Sequence, residues 1–149
     1  MESNKNFEYS FHSNKTAKEI FPILKNVKSW WNGLFGEVIL GESNQIGDEF
    51  SFSAGDGVHF SKQKLIELNP NKELVWLVTD SNLSFLQDTH EWENTKIKFI
   101  LEETKNGTKV TFTHEGLIPK IECYKNCTGA WTQYLANLEK SLNSYTKQL

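Results

Sequence analysis

Three side chains near the C-terminus have the types and spacing of a ligand-binding surface. Tyr124, Thr128 and Trp131 recur at steps of four and three, which places them on one face of a helix. Tyrosine and tryptophan join a large apolar ring to one polar group, and threonine adds a hydroxyl. The same stripe continues with leucines, which are typical of a packed core. The pattern predicts one helix over residues 120–146 that packs at its C-terminal end and borders a cavity at its N-terminal end.

A histidine and a glutamate stand where the strand before this helix ends. His114 alternates with Val110 and Phe112, so we expect it to point toward the helix. His114 and Glu115 at a cavity rim could orient a polar ligand group or take part in acid–base chemistry. The alternative is a strand-end histidine whose ring is hydrogen-bonded within the protein.

The other potential metal ligands are scattered along the chain. His12, His59 and His90 lie on three separate predicted strands, without the spacing of a metal motif. Cys123 and Cys127 are four residues apart and lack the further ligands of a structural zinc site. We therefore expect no metal and no cofactor, and we expect both cysteines to be free buried thiols.

Familiar catalytic motifs are missing from the sequence. There is no Gly-x-Ser-x-Gly elbow, and Gly55-Asp56-Gly57 is too short for a phosphate loop and reads as a hairpin turn. The sequence therefore favours a protein that is not an enzyme, although a site assembled from distant strands would escape detection.

Charge and hydropathy restrict the classes of partner and the location that the sequence favours. The net charge is −3 and all 16 basic residues are lysine, so nothing favours nucleic acid or an anionic membrane. The chain has no signal-peptide pattern and no apolar run long enough for a membrane span. We expect a cytoplasmic protein.

The elements that position these residues follow from alternation and turn residues. The first strand alternates Phe7, Tyr9 and Phe11 with polar residues, and Thr16 with Glu19 forms a capping box before a short helix. A second short helix is predicted from Val27 to Trp31, ending at Asn32-Gly33. Further strands are predicted near 35–40, 48–54, 58–68, 73–80, 83–91, 95–103 and 108–115. The Asn106-Gly107 pair between the last two strands is the strongest hairpin signal in the chain. Short connections make the sheet antiparallel, and one helix laid over it gives a two-layer α+β protein.

The aromatic content is unusually informative. Aromatic residues make up 13% of the chain, including five tryptophans. So many rings are hard to place in a two-layer core unless some of them line a pocket. Mid-strand rings such as Phe50, Phe99 and Trp76 fit core packing at least as well. The predicted ligand-binding residues are Trp30, Trp31, Phe52, Trp76, Phe112, His114, Tyr124, Thr128 and Trp131.

The C-terminal stretch also carries a family resemblance. Three short stretches resemble the SRPBCC (START-like) superfamily. They are Trp30-Trp31, Thr111-Phe112-Thr113-His114-Glu115-Gly116, and the helix residues Glu122-Cys123-Tyr124, Cys127, Ala130-Trp131, Tyr134, Leu138 and Leu142. The similarity is greatest to the branch of the C-terminal domain of Aha1, the Hsp90 ATPase activator. It implies a helix-grip (START/Bet v 1-like) fold, a curved antiparallel sheet wrapped around the long C-terminal helix, with two short helices after strand 1.

The resemblance and the residues lead to one functional expectation and two alternatives. We expect a single domain, 1–149, that binds a small, mostly apolar molecule between the sheet and the C-terminal helix. The first alternative is an Hsp90-type chaperone as partner, through a co-chaperone-like interaction surface. The second is a cyclase- or hydrolase-like enzyme that uses the same cavity. A monomer or weak homodimer is expected in each case.

Overall fold

The structure is a computed structural model, and it describes residues 5–143. One sheet of seven strands in the order β1-β7-β6-β5-β4-β3-β2 dominates it, and every neighbouring pair is antiparallel. The strands are β1 Phe7–Ser13, β2 Val38–Gly41, β3 Glu49–Ala54, β4 His59–Asn69, β5 Glu73–Leu83, β6 Lys96–Thr104 and β7 Gly107–Glu115. The helices are α1 Ala17–Lys25, a 3-10 turn Val27–Ser29, and α2 Tyr124–Asn143. The predicted α+β helix-grip architecture is confirmed.

The first helix begins where the capping residues predict. The Thr16 hydroxyl accepts a hydrogen bond from the Glu19 amide at 3.1 Å, and the Glu19 carboxylate accepts one from the Thr16 amide at 2.9 Å. Two amides that the helix leaves unpaired are thereby satisfied. The second predicted helix is shorter than expected, because only the 3-10 turn Val27–Ser29 forms.

The β6–β7 hairpin confirms its turn signal. Thr104 pairs with Gly107, so only Lys105 and Asn106 lie between the paired ends. Gly107 has φ +145°, and a Cβ there would collide with the backbone of Ser13 on β1. A glycine is therefore required for the close approach of the turn to the neighbouring strand.

The strand predicted at 83–91 is wrong. β5 runs on to Leu83, and the chain then folds into consecutive turns until β6 begins at Lys96. Within this loop the amide of Leu83 donates to the carbonyl of Thr89 at 2.8 Å, and the Leu86 amide donates to Leu83 at 3.0 Å. These local bonds occupy backbone groups that a strand would offer to its neighbours. We call residues 84–94 the β5–β6 loop.

The long helix is shorter than predicted at its start. It begins at Tyr124 instead of residue 120, and predicted positions 144–146 lie outside the described residues. Cys123 therefore precedes the helix, and it forms a disulfide with Cys127 across a Cα–Cα distance of 5.6 Å. That distance falls within the range for disulfides, so the expectation of two free thiols is wrong in this structure.

The core lies between the concave face of the sheet and the helices. Fully buried aliphatic residues from the second half of α2, including Leu135 and Leu138, pack there against rings from the central strands. Tyr9 on β1 donates to the Glu139 carboxylate at 2.9 Å, and the Asn143 amide group donates to the His12 carbonyl at 3.2 Å. These bonds fix the C-terminal half of α2 over the β1 edge, so its N-terminal half borders the rest of the concave face.

Candidate functional site

An apolar cavity of about 300 Å³ lies between the N-terminal half of α2 and the concave face of the sheet at β3 and β4. This volume is at the lower end of the range for small-molecule pockets. Residues from α2, β3, β4 and three connecting segments line it and leave one side open to solvent: Trp31, Phe35, Phe52, Ala54, Gly55, Val58, His59, Phe85, Trp92, Asn126, Cys127, Ala130, Trp131 and Tyr134. None of these lining residues is Asp, Glu or Lys, so the wall is apolar with a few polar groups.

A chain of hydrogen bonds holds two tryptophans of this wall. The indole N–H of Trp131 donates to Nδ1 of His114 at 3.1 Å. Since Nδ1 accepts, the ring proton is on Nε2, which lies 2.8 Å from the Thr95 hydroxyl and donates to it. The Thr95 hydroxyl in turn donates to the carbonyl of Trp92 at 2.6 Å. The chain therefore links Trp131 on α2 to Trp92 in the β5–β6 loop through the end of β7.

His114 contacts the buried sides of Trp92 and Trp131 and does not line the cavity. It is fully buried, and its ring lies edge-on to Trp92 and Trp131. Burial lowers the pKa of His114 to about 3, with a further contribution from nearby His59, so the ring is neutral. Glu115 points to the other side and pairs with Lys98 at 2.5 Å. The two residues therefore form no acid–base pair.

His59 lies on the cavity wall itself, at the first position of β4. Its ring packs edge-on to Trp92 at 4.7 Å and to Phe52 at 5.4 Å between centroids. Burial lowers the pKa of His59 to about 4, which makes it neutral at physiological pH. His59 Nε2 and Trp92 Nε1 are buried and have no hydrogen-bond partner among the described residues.

One carboxylate fixes the loop that carries Phe35 to the mouth of the cavity. Glu37 accepts hydrogen bonds from the amides of Gly33, Leu34 and Phe35 at 2.8–3.1 Å and from the hydroxyl of Tyr134 on α2. Partial burial acts to raise the pKa of Glu37, but these donors outweigh it and lower the pKa below the usual value. Burial, and then the bond to Glu37, raises the pKa of Tyr134. The Tyr134 hydroxyl is thus already engaged at the rim.

Two further carboxylates attach the β5–β6 loop to the start of α2. Glu122 accepts from the amides of Gln87 and Asp88 at 3.1–3.4 Å, and Glu91 accepts from the amides of Glu122 and Cys123 at 2.7–2.9 Å. The amides of Glu122 and Cys123 lie just before α2, so the Glu91 carboxylate pairs backbone donors that the helix itself does not use. Through these bonds the loop presents Phe85 and Trp92 to the cavity.

The structure brings three of the predicted site residues together. Trp31, Phe52 and Trp131 all line the cavity, with Trp31 stacked on Phe52 at 4.0 Å and tilted against Trp131 at 4.9 Å between ring centroids. Phe112 lies behind Trp131 at 4.6 Å, and His114 lies behind it as described.

The other four predicted site residues lie elsewhere. The indole N–H of Trp30 donates to the Leu24 carbonyl at 2.9 Å, and that of Trp76 donates to the Ser43 hydroxyl at 2.8 Å, both in solid core. Tyr124 is half-buried beside Phe7 and Pro119, and Thr128 is half-buried with its hydroxyl directed to the Lys125 carbonyl. The cavity borders a different side of α2, the side of Asn126, Ala130 and Tyr134, so Tyr124 and Thr128 do not line it.

Sequence reasoning missed most of the remaining wall. The tertiary fold decides which residues join the wall, both from other segments and from the different sides of α2. The residues missed in this way are His59, Phe85, Trp92 and Tyr134. The only available signal was the excess of aromatic residues, of which Phe35, Phe85 and Trp92 are part. A loop mistaken for a strand could not indicate which of its side chains face inward.

One group of described residues has a donor set that suits a metal ion. Asp80, His90 and Glu93 each offer an atom within 4.8 Å of the others. His90 Nδ1 already contacts the Glu93 carboxylate at 2.8 Å and the Ser81 carbonyl at 2.6 Å. The group is at the surface, away from the cavity, and its side chains already contact one another and the backbone of β5. The absence of a metal site remains a prediction.

Comparison with known proteins places this architecture in a family. The model for "Activator of Hsp90 ATPase homolog 1-like protein" matches residues 24–143, which include the cavity-lining residues and α2. The chain belongs to this family. The sequence resemblance to the Aha1-like branch of the SRPBCC superfamily is therefore confirmed. No curated protein matches the sequence significantly.

Solved structures support the fold of this Aha1-like protein. The solution structure of the Aha1 dimer from Colwellia psychrerythraea has a TM-score of 0.70 at 22% identity, covering 93% of this chain and 96% of that one. A crystal structure from Mesorhizobium loti gives 0.70 at 19% identity, with 91% and 95% covered. A solution structure from Cytophaga hutchinsonii gives 0.69 at 19% identity, with 95% and 96% covered. Within residues 5–143, neither helix has the length and apolar character of a membrane span.

Proposed function

We propose that this Aha1-like protein binds a small, mostly apolar molecule in the cavity between α2 and the sheet. The supporting observation is a cavity of about 300 Å³ that remains open although α2 packs tightly elsewhere. Protein interiors are otherwise close-packed, so a concave apolar space that opens to solvent between α2 and the sheet is a candidate binding site. The superfamily fold commonly holds apolar ligands in the corresponding place.

The rim of the cavity supports entry of an apolar molecule. Phe35, Val58 and Phe85 line the mouth and keep 45%, 44% and 42% of their surface exposed. Large apolar side chains exposed together around a concave site are typical of a binding mouth. They come from three different loops, so small loop movements would widen the entrance without disturbing the sheet.

Replacing either of two alanines on α2 with phenylalanine tests the proposal. Ala130 lines the cavity, and Ala136 is exposed on the same helix. Ala130→Phe should fill the cavity and weaken binding of an apolar ligand at least tenfold, whereas Ala136→Phe should bind like the wild type. Isothermal titration calorimetry with dodecanoate, naringenin and 2-methylnaphthalene measures this directly. Failure of these three ligands and of 2-naphthol to bind the wild type, or equal binding to both variants, would refute the proposal.

A protein-association role is the second candidate. β2 is an edge strand of the sheet, and Val38 and Leu40 on it are 52% and 64% exposed, with Ile46 nearby in sequence at 56%. An apolar edge strand offers both side chains and unpaired backbone groups to another chain. The Colwellia relative is a dimer, and the family name refers to Hsp90. Sedimentation of wild type and Leu40→Lys over a concentration series, with and without an Hsp90-type chaperone, distinguishes self-association from chaperone binding.

A further inference from the structure

The inner face of β4 carries polar side chains where the fold would normally place apolar ones. His59, Ser61 and Gln63 alternate along the strand and point to the core side, and we call them the polar strip. Ser61 and Gln63 are fully buried. The Ser61 hydroxyl and both amide atoms of Gln63 have no hydrogen-bond partner among the described residues, and the same holds for His59 Nε2. Buried polar groups in native proteins are nearly always paired, so such a row calls for an explanation.

The polar strip meets the cavity at His59. His59 lines the cavity wall together with Trp92, whose indole N–H also lacks a partner among the described residues. The two rings lie 4.7 Å apart between centroids and nearly perpendicular. A hydrogen-bonding ligand group next to this ring pair would have an unused donor and an unused imidazole nitrogen within one small region.

The chemistry of these two groups restricts the ligand. An indole N–H only donates, so the ligand must offer an acceptor atom to Trp92. A neutral imidazole nitrogen donates or accepts according to its tautomer, so a hydroxyl or a carbonyl suits His59 equally well. Within residues 5–143, no Lys lines the cavity to compensate a carboxylate, and the Glu37 carboxylate near the rim is occupied by its loop amides and Tyr134. A charged ligand group would therefore lose its hydration without gaining a counter-ion.

We propose that the cavity selects a neutral, compact, largely apolar molecule with a single hydroxyl or carbonyl group, which hydrogen-bonds to Trp92 Nε1 and His59 Nε2. This inference rests on the proposed function and specifies its ligand class. The apolar body lies against Trp31, Phe52 and Trp131, and the polar group marks the end of the cavity where the polar strip begins.

Three probes of the same ring system test the ligand class on the wild-type protein. At pH 7, 2-naphthol is neutral and carries one hydroxyl, 2-methylnaphthalene has no polar group, and 2-naphthoate is charged. We expect 2-naphthol to bind about tenfold more tightly than 2-methylnaphthalene, the ratio that one net hydrogen bond supplies. We expect 2-naphthoate to bind more weakly than 2-naphthol. Water solvates the hydroxyl better than the methyl group, so a preference for naphthol can arise only from polar contacts in the protein.

Two matched variants test whether the preference for 2-naphthol over 2-methylnaphthalene depends on Trp92. Trp92→Phe removes the N–H and keeps an aromatic ring, so the preference for 2-naphthol should fall to about one while the affinity for 2-methylnaphthalene stays within twofold. Trp76→Phe removes an indole that is hydrogen-bonded in the core away from the cavity and should leave the preference intact. Circular dichroism melts confirm that each variant is folded, and the wild-type ratios stand alone if a variant is not.

The outcomes separate this inference from the proposed function. Equal binding of 2-naphthol and 2-methylnaphthalene to the wild type would overturn the ligand class and leave an apolar pocket, with water satisfying the polar strip. Tightest binding by 2-naphthoate, or binding of dodecanoate with neither neutral naphthalene bound, would also overturn the class. No saturable binding by any probe would overturn the pocket function itself.

Discussion

Acidification should destabilise this protein well before its carboxylates protonate, because two histidines are buried in the neutral state. His114 and His59 have pKa values of about 3 and about 4 in the folded protein, against an ordinary value of 6.5. In the unfolded chain both rings take up a proton as the pH falls through 6.5. The folded protein does not, so acid favours the unfolded state and stability falls with decreasing pH.

The size of the effect follows from proton linkage. Between pH 7 and pH 5 each histidine that protonates only in the unfolded chain removes about 2 kcal/mol of stability, and the two together remove about 4 kcal/mol. The result changes little with the folded pKa, provided that it lies well below 5. A loss of about 4 kcal/mol is a large part of the roughly 5–15 kcal/mol typical of a domain. It corresponds to a fall in melting temperature of roughly 8–16 °C.

A matched variant isolates the contribution of His114. In His114→Asn the amide oxygen can still accept the Trp131 N–H, but the side chain cannot take up a proton. Urea denaturation at intervals from pH 7 to pH 5 should show the variant losing about 2 kcal/mol less than the wild type over this range. Parallel stability curves for the two proteins would refute the conclusion that a neutral, buried His114 holds Trp131.

Two further predictions concern α2 and its disulfide. Leu135→Pro should remove a helical hydrogen bond beneath the sheet and destabilise the protein by about 3 kcal/mol or more, which a urea titration measures; a melting temperature near that of the wild type would contradict the central position of α2. Thiol titration of the denatured, unreduced protein should find neither Cys123 nor Cys127 free, and both after reduction. Reduction should cost about 2 kcal/mol for so short a loop, and two free thiols in freshly isolated, unreduced protein would contradict the disulfide.

The fold was predictable because its signals are local. The Thr16–Glu19 capping box, the turn at Asn106-Gly107 and the periodicity of α2 each depend on neighbours within a few residues. Together with the family resemblance they predicted the antiparallel sheet and the long helix over it. The β5–β6 loop was misassigned because its apolar residues resemble a strand, whereas its position depends on hydrogen bonds between Glu91 or Glu122 and backbone amides far away in the sequence.

The site was predictable only in part, for a physical reason. Periodicity identified Trp131 as an inward-facing residue of α2, but it could not tell which side of the stripe borders empty space. That depends on which strands lie opposite each helix position. Tyr124 faces the first strand, whereas Tyr134 faces the cavity, although both belong to the same helix. The unpaired polar atoms of β4 were equally hidden, since alternation alone would assign His59, Ser61 and Gln63 to a solvent-facing side.

In the loop at Phe35, the backbone and the side chain have different roles: the backbone is fixed to the fold, and the side chain borders the cavity mouth. The backbone is held by the Glu37 carboxylate, and the Phe35 side chain is nearly half exposed. Replacing Phe35 would change the shape of the entrance and remove an edge-on ring contact with Tyr134, but it would leave the Glu37 hydrogen bonds that hold the backbone. Under the proposed function, residue 35 is therefore a position at which substitutions would change ligand preference, and it is a practical starting point for redesigning the pocket.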